Sequence, residues 1–296
     1  MTGRRIQLEQ RWRDRRGILI SRGRFDPSLH GVEIIPGDKV AAAFVQQHHY
    51  SASYPSASFR VGLYRLVGKG PAARKPELVG VAVFGTSPGP QVARKWAGPG
   101  VEALDLNRFI LLDELEYNAE TWFLRGAFEQ LERERPDVRA VYAFSDPYPR
   151  TTLQGEVIMP GHIGTIYKSF RGGMYLGRGD ARWKYLDAQG RVVSGAGLKK
   201  FYTQEKGATR FYEKLIERGA PPIRRGESPG DYFRRAMEEG PFRRFRHPGT
   251  HGYIWPLKGR HGIHPLRKSY QRRALPPPEQ IDVDFLSLAR TLKAED

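Results

Sequence analysis

No cysteine occurs in the chain, which excludes disulfides, thiolate nucleophiles and cysteine-ligated zinc. Any metal must be held by His, Asp, Glu or Tyr. Long apolar runs are missing too: nothing approaches the roughly 20 consecutive residues a membrane helix needs, and the Arg-rich start has no apolar segment of the secretory kind. A cytoplasmic protein with no membrane partner is the expectation. Acids are scarce, with 32 Asp and Glu against 49 Lys and Arg, so the formal net charge is +17. What is present suffices for a core: 39% of the 296 residues are hydrophobic, enough for one large domain with additions or two small ones.

The positive charge is unevenly placed. One block holds Arg4, Arg5, Arg11, Arg13, Arg15, Arg16, Arg22 and Arg24; the other, residues 241–278, has nine Lys or Arg, four His and no acid. Such clustering favours a polyanion, because each neutralised phosphate releases condensed counterions. The first block reads equally well as a solvated tail. In the second, Phe242, Phe245, Tyr253, Trp255 and Tyr270 interleave the charges and could stack on bases.

Residues 1–30 read as a basic arm with a short helix at Ile6 to Arg15. A first strand follows at 31–36, then a helix with Asp38 at its N-cap and Val40, Phe44 and His48 on one stripe. Strands at 59–67 and 78–84 have the continuous apolar content of a sheet covered on both faces. A basic loop carries Arg94, Lys95 and Trp96. The run 104–112 is the central strand, and period two places Arg108 with Leu106 and Ile110 on one face. Asn118 caps the next helix, Pro136 stops it, and the strand 138–144 completes a parallel crossover. That strand halts at Phe144-Ser145-Asp146-Pro147, where proline must end the ladder. After a loop, Gly161-His162-Ile163-Gly164-Thr165-Ile166-Tyr167 reads as a short helix leading into a strand at 174–177. A hairpin is expected over 182–193 with its turn at 187–190, then a short helix near 198–202, two helices within 207–240, a strand at 251–257, and a linker at 276–278 before a terminal helix at 283–292.

The element order is that of the GNAT acyltransferase fold. Local motifs narrow it: His48-His49-Tyr50-Ser51, Leu106-Asn107-Arg108-Phe109, Phe144-Ser145-Asp146-Pro147, Gly161 to Tyr167, Tyr175-Leu176-Gly177 and Tyr253-Ile254-Trp255-Pro256-Leu257. In order and spacing, over 36–203 and 251–273, the chain resembles the Mom family of bacteriophage DNA-modification proteins. The residues divide the chain into a basic arm (1–30), a catalytic core (31–203), a helical insertion (204–245) that lies outside the recognised pattern, a basic and aromatic segment that completes the core and contacts DNA (246–275), and a linker with a terminal helix (276–296), so that the core carries basic extensions at both ends. The resemblance implies an α/β fold with a GNAT-like mixed central sheet flanked by helices. It implies carbamoylmethyl-type modification of the exocyclic amine of adenine in double-stranded DNA, protecting phage DNA from host restriction. The donor would be acetyl-CoA or a related acyl group, around Arg108, Phe109 and Asn118, and Fe(II) is the metal it suggests. In place of a Gly-rich pyrophosphate loop the chain has the acidic Asp113-Glu114-Leu115-Glu116.

Each candidate has a plainer reading. One of His48 and His49 should face the core with Phe44 and needs no function; beside Tyr50 and Ser51, His49 and Tyr50 are assigned to the site. Ser145-Asp146-Pro147 could be an Asx-type turn, yet a carboxylate at the end of a central strand is where open sheets bind ligands. Asp146 is the candidate base for the weakly nucleophilic adenine amine and Ser145 its neighbour. Tyr167 could be a general acid or a packed core phenol. His162 could be a base or, with His49 and Asp146, part of the two-imidazole, one-carboxylate set that suits ferrous iron. Arg108 could simply pair with an acid such as Asp105 or Glu102; the preferred reading makes it a clamp on an anionic donor or a partner to Asp146. The flipped base would stack on Tyr50, Tyr54, Tyr253 or Trp255, while Arg94, Lys95, Lys258, Arg260, Arg267, Lys268, Arg272 and Arg273 hold phosphates. Rival readings are an inactive transferase fold that only binds nucleic acid, and an N-acyltransferase on a protein or small-molecule amine. Oligomeric state is left open.

Overall fold

Strand-forming runs rich in Val, Leu and Phe alternate with helical stripes through the first half of the chain, and each run builds the element its period dictates. The structure is a computed structural model and describes residues 8–9, 19–20, 24–49, 51, 53–67, 75–86, 95, 97–116, 118–159, 161–259 and 262–263. We number its main strands β1 (His30–Ile34), β2 (Phe59–Val67), β3 (Lys75–Thr86), β4 (Glu102–Leu111), β5 (Val138–Ser145), β6 (Met174–Arg178), β7 (Arg182–Leu186), β8 (Arg243–His247) and β9 (His251–Pro256). The helices are α1 (Asp38–His48), α2 (Ala119–Glu134), α3 (Thr165–Ser169), α4 (Gly195–Thr203), α5 (Ala208–Glu217) and α6 (Pro229–Glu239). In place of the expected helix at Ile6 to Arg15, Leu8–Glu9 pairs antiparallel with Leu19–Ile20. The terminal linker and helix lie outside the described residues.

The chain divides into two compact units, one of residues 1–146, 162–179 and 250–296 and the other of 147–161 and 180–249. The first holds a seven-stranded sheet in the order β6-β9-β5-β4-β3-β2-β1. Every neighbouring pair is antiparallel except β4 and β5, which the helix α2 joins in parallel. This is the mixed α/β architecture the element order predicts. On one face Phe123, Leu124, Ala127, Phe128 and Leu131 of α2 pack on Val61, Ala82, Phe84, Leu104 and Val141. On the other, Ala41, Phe44 and Val45 of α1 cover Val81, Val83 and Ile110. Burial of each large side chain contributes roughly 1.5–3 kcal/mol, and cover on both faces is why β3 reads as a continuous apolar run.

Two local expectations shift. Gly37, not Asp38, is the N-cap of α1; the Asp38 carboxylate accepts from Arg60 and from the Tyr54 hydroxyl, and the Arg60 bond is the main cause of its lowered pKa. A β-bulge at Asn107 sets Leu106 opposite Phe84 but Arg108 opposite Val83. Consecutive strand residues face opposite ways, so Arg108 shares its face with Ile110 and not with Leu106.

In the second unit, Phe201, Phe211, Leu215, Tyr232, Phe233 and Met237 bring α4, α5 and α6 into one core. The unit contains the helices expected at 204–245 and also residues on either side of them. The hairpin expected over 182–193 is only a turn. The buried Asp187 carboxylate accepts from the amides of Gln189 and Arg191, and Leu186 and Val192 form a single bridge. The strand partner of β7 is instead β8, antiparallel from Arg182↔His247 to Leu186↔Arg243.

Candidate active site

The parallel ladder between β4 and β5 is short. It runs from Glu102↔Val138 to Asp105↔Tyr142, and among the described residues the two strands share no pair beyond that point. From there β4 stays with β3 up to Leu111, while β5 stays with β9 up to Ser145↔His251. The sheet therefore parts toward the carboxyl ends of two parallel strands, the position at which open sheets take ligands. Polar side chains gather on each of those ends.

On the β4 side, Arg108 donates from Nε to the Ser53 carbonyl at 3.1 Å, from Nη2 to Ser53 Oγ at 3.0 Å and from Nη1 to the Asn107 carbonyl at 2.6 Å. Ser53 Oγ lies 3.1 Å from Ser51 Oγ, which lies 2.8 Å from His49 Nδ1. The Ser51 amide also points at His49 Nδ1, 3.1 Å away. A backbone N–H can only donate, so Nδ1 is an acceptor and the neutral imidazole carries its proton on Nε2. The chain of bonds then runs from the Arg108 guanidinium through two hydroxyls to His49. Arg108 thus holds Ser53 and, through it, Ser51. His48 is the inward member of the histidine pair, its ring 4.5 Å from that of Phe44.

Asp105 is the residue this region hides. It is 6% exposed, and burial pushes its pKa up to about 7 against the opposing pull of Arg108. A single carboxyl in a strand of Leu and Phe carries no motif; the only sequence signal was its charge in so apolar a run.

On the β5 side, Ser145 is fully buried and its Oγ makes no hydrogen bond of good geometry among the described residues, although it stands near enough to the Tyr253 phenol to lower slightly a pKa that burial raises. Buried hydroxyls are nearly always fully bonded, so this one is unusual. Around it stand Tyr167 and Tyr253, with ring centroids 5.6 Å apart. Gly164, at φ 79°, makes the approach possible: a Cβ there would meet Tyr167 at 2.7 Å, Tyr253 at 3.0 Å and Ser145 Oγ at 3.1 Å. The Tyr253 hydroxyl donates to the Ile163 carbonyl, and burial raises its pKa. Opposite Ser145 in register, His251 lies with Nδ1 2.7 Å from the Tyr175 hydroxyl, its pKa lowered first by burial and then by Arg178. This Tyr–His pair was not anticipated, although Tyr175 stood in a recognised motif. Asp146, 9% exposed, accepts the His162 amide at its carbonyl at 2.8 Å, so the strand end and the 161–167 segment are tied by backbone.

The sequence-predicted residues thus fall into two groups, His49 with Arg108, and Ser145, Asp146, His162 and Tyr167. Tyr253 and Trp255, expected as stacking platforms, are instead buried at 1% and 2%. Trp255 packs on Phe128 at 5.7 Å and Tyr167 at 5.7 Å. Phe109 stacks on Phe123 at 5.4 Å in the core. Asn118 sits at the N-cap of α2 at φ 73° without a side-chain capping bond. Lys95 and Lys258 are exposed. Tyr50, Arg94, Arg260, Arg267, Lys268, Arg272 and Arg273 lie outside the described residues.

The donors as placed do not fit the iron expected of His49, Asp146 and His162. Among the described residues no three His, Asp or Glu side chains stand close enough to share a metal ion. His49 also has the wrong tautomer for ligation through Nε2, since Nδ1 accepts rather than donates.

Residues 30–276 match the family model of the Mom protein family. The chain belongs to the Mom protein family. The match begins beyond the Arg-rich block and takes in both site groups and the whole helical insertion, which the recognised motifs had left out. Membership makes this Mom protein a DNA-modifying protein of the bacteriophage kind, with DNA as its partner. No curated protein matches the chain. Among the described residues no helix is long and apolar enough to cross a membrane.

Proposed function

We propose that this Mom protein is a GNAT-like transferase that places a carbamoylmethyl-type group on the exocyclic amine of adenine in double-stranded DNA, shielding phage DNA from host restriction. The observation that carries the reading is the buried, poorly bonded Ser145 hydroxyl at the parting of β4 and β5, ringed by Tyr167, Tyr253 and the Tyr175–His251 pair.

The adenine amine is a poor nucleophile because its lone pair is delocalised into the ring. When it attacks the donor carbon, a nitrogen–carbon bond forms, the donor's leaving group departs, and the proton on nitrogen passes to a base. Asp146 is that base, next to Ser145 and tied to His162. Ser145 Oγ holds the amine or the donor carbonyl through its free hydrogen-bonding capacity. Tyr167 orients the group that meets Ser145. Arg108, through Ser53 and Ser51, fixes His49 at the facing strand. Attack on an acetyl-CoA thioester would leave an acetyl group, so the donor in this step carries a carbamoylmethyl group whose methylene carbon bears the leaving group; its grip differs from a Gly-rich phosphate loop, since the segment before α2 is acidic and its Glu114 pairs with Arg65 at 2.5 Å. The adenine reaches the site only if it leaves the base stack.

The test is a digest. DNA from cells expressing the full chain should resist restriction enzymes whose sites contain adenine, and full cleavage would overturn the proposal.

A further inference from the structure

The second unit carries its own charged surface. In the β7–β8 ribbon, Trp183 pairs in register with Arg246 and Tyr185 with Arg244, so these four side chains share one face. Tyr185 turns its ring edge to Phe233 at 5.6 Å and belongs to the helical core. Trp183 does not: it is 53% exposed. Two guanidiniums lie against it, Arg244 at 4.3 Å and Arg246 at 5.6 Å from the ring centroid.

Several other arginines of this unit meet acids. Arg191 and Arg218 pair with Asp187, Arg224 with Glu239, Arg234 with Asp231, and Arg235 with Glu227 and Glu239. Arg244 and Arg246 are exposed and have no ion pair or hydrogen bond among the described residues; only the tryptophan holds them. A cross-strand Trp–Arg pair can serve the ribbon alone. That role calls for one arginine and for cover over the indole, and here there are two arginines and an open ring.

We infer that this ribbon is a DNA-contacting surface separate from the catalytic residues, in which Trp183 holds the forks of Arg244 and Arg246 ready for the phosphate backbone of duplex DNA. The ring orders both guanidiniums before contact, which lowers the entropy lost on binding, and the planar fork matches a phosphate. The contact reads no base sequence; it adds affinity and register. The inference rests on the DNA-modifying reading, and its occupant is the polyanion complementary to two uncompensated cations.

The experiment measures binding of the full chain to a short fluorescein-labelled duplex across a salt series. Each phosphate contact contributes a slope of about 0.9 in log K against log salt, so R244Q/R246Q should lower the slope by about 1.8 and, taken from a 1 M reference, weaken binding about 30-fold at 0.15 M. R244K/R246K keeps both charges and should keep the slope. Wild-type binding with an unchanged slope in R244Q/R246Q overturns the ribbon alone and leaves the modification reading standing. Equal losses in the Gln and Lys variants would mean a structural role and overturn it too, as would ribbon-dependent binding of a single-stranded RNA with none for the duplex. A wild-type chain that fails to bind the duplex overturns both readings.

Discussion

Replacing Asp105 with Asn should make the protein more stable, by an amount that grows as pH rises from about 4 to about 7. Asp105 is 6% exposed in the central strand, and burial pushes its pKa from 3.8 up to about 7. Between those values the folded state holds a proton that the unfolded chain has released. Stability therefore falls as pH rises from about 4 to about 7, since the unfolded state binds fewer protons there. At about 1.36 kcal/mol per pKa unit, the penalty above pH 7 is on the order of 4 kcal/mol, an upper bound. Asn resembles the protonated acid and has nothing to ionise. For a unit of about 200 residues, that difference corresponds to a melting point about 10 °C higher for D105N at pH 8 and nearly equal melting points at pH 4. Thermal unfolding followed by circular dichroism at the two pH values reads it directly. A difference that does not change with pH would refute the argument. A carboxyl kept at such a cost next to Arg108 is expected to serve the site, so D105N should gain stability and lose DNA-modifying activity together.

Gly164→Ala should cost about 2 kcal/mol or more, because it places a side chain at φ 79° and drives a Cβ to within 2.7 Å of Tyr167; an unchanged melting point would contradict the packing described. Arg108→Lys loses the fork that grips both the Ser53 carbonyl and its hydroxyl, and should cut modification rate about 10- to 100-fold while moving stability by about 1 kcal/mol or less. A normal rate in single-turnover assays would remove Arg108 from the positioning role. Tyr175→Phe takes the partner from buried His251 Nδ1 and should destabilise by about 1–3 kcal/mol in urea unfolding; no change would mean the Tyr175–His251 bond is not formed.

The sequence made legible what depends on local period. β2 spans Phe59–Val67 as read, and the β4-α2-β5 crossover follows from an amphipathic helix between two apolar strands. The β7–β8 pairing was not legible because its partners lie about sixty residues apart, while the nearer segment after the Asp187 turn makes only a single bridge, on the other edge of β7. Tyr253 and Trp255 read as surface aromatics from their basic neighbours, yet β9 lies between β5 and β6, and an inner strand is covered on both faces. The Arg108–Ser53–Ser51–His49 chain was hidden for another reason: a one-residue bulge at Asn107 separates Arg108 from the face of Leu106, where strict period two had put both. Ser145, Asp146 and His162 can be singled out as candidates because proline and glycine punctuate the strand end, which is a signal sequence does carry.

The most direct test of the central claim is nucleoside mass spectrometry of DNA from cells expressing either the wild-type chain or Asp146→Asn. With the wild type, a share of deoxyadenosine should shift to a heavier nucleoside that cells lacking the protein do not make. With folded Asp146→Asn the heavier nucleoside should be absent or nearly so. Unmodified deoxyadenosine with the wild type, or full modification with Asp146→Asn, would contradict the account.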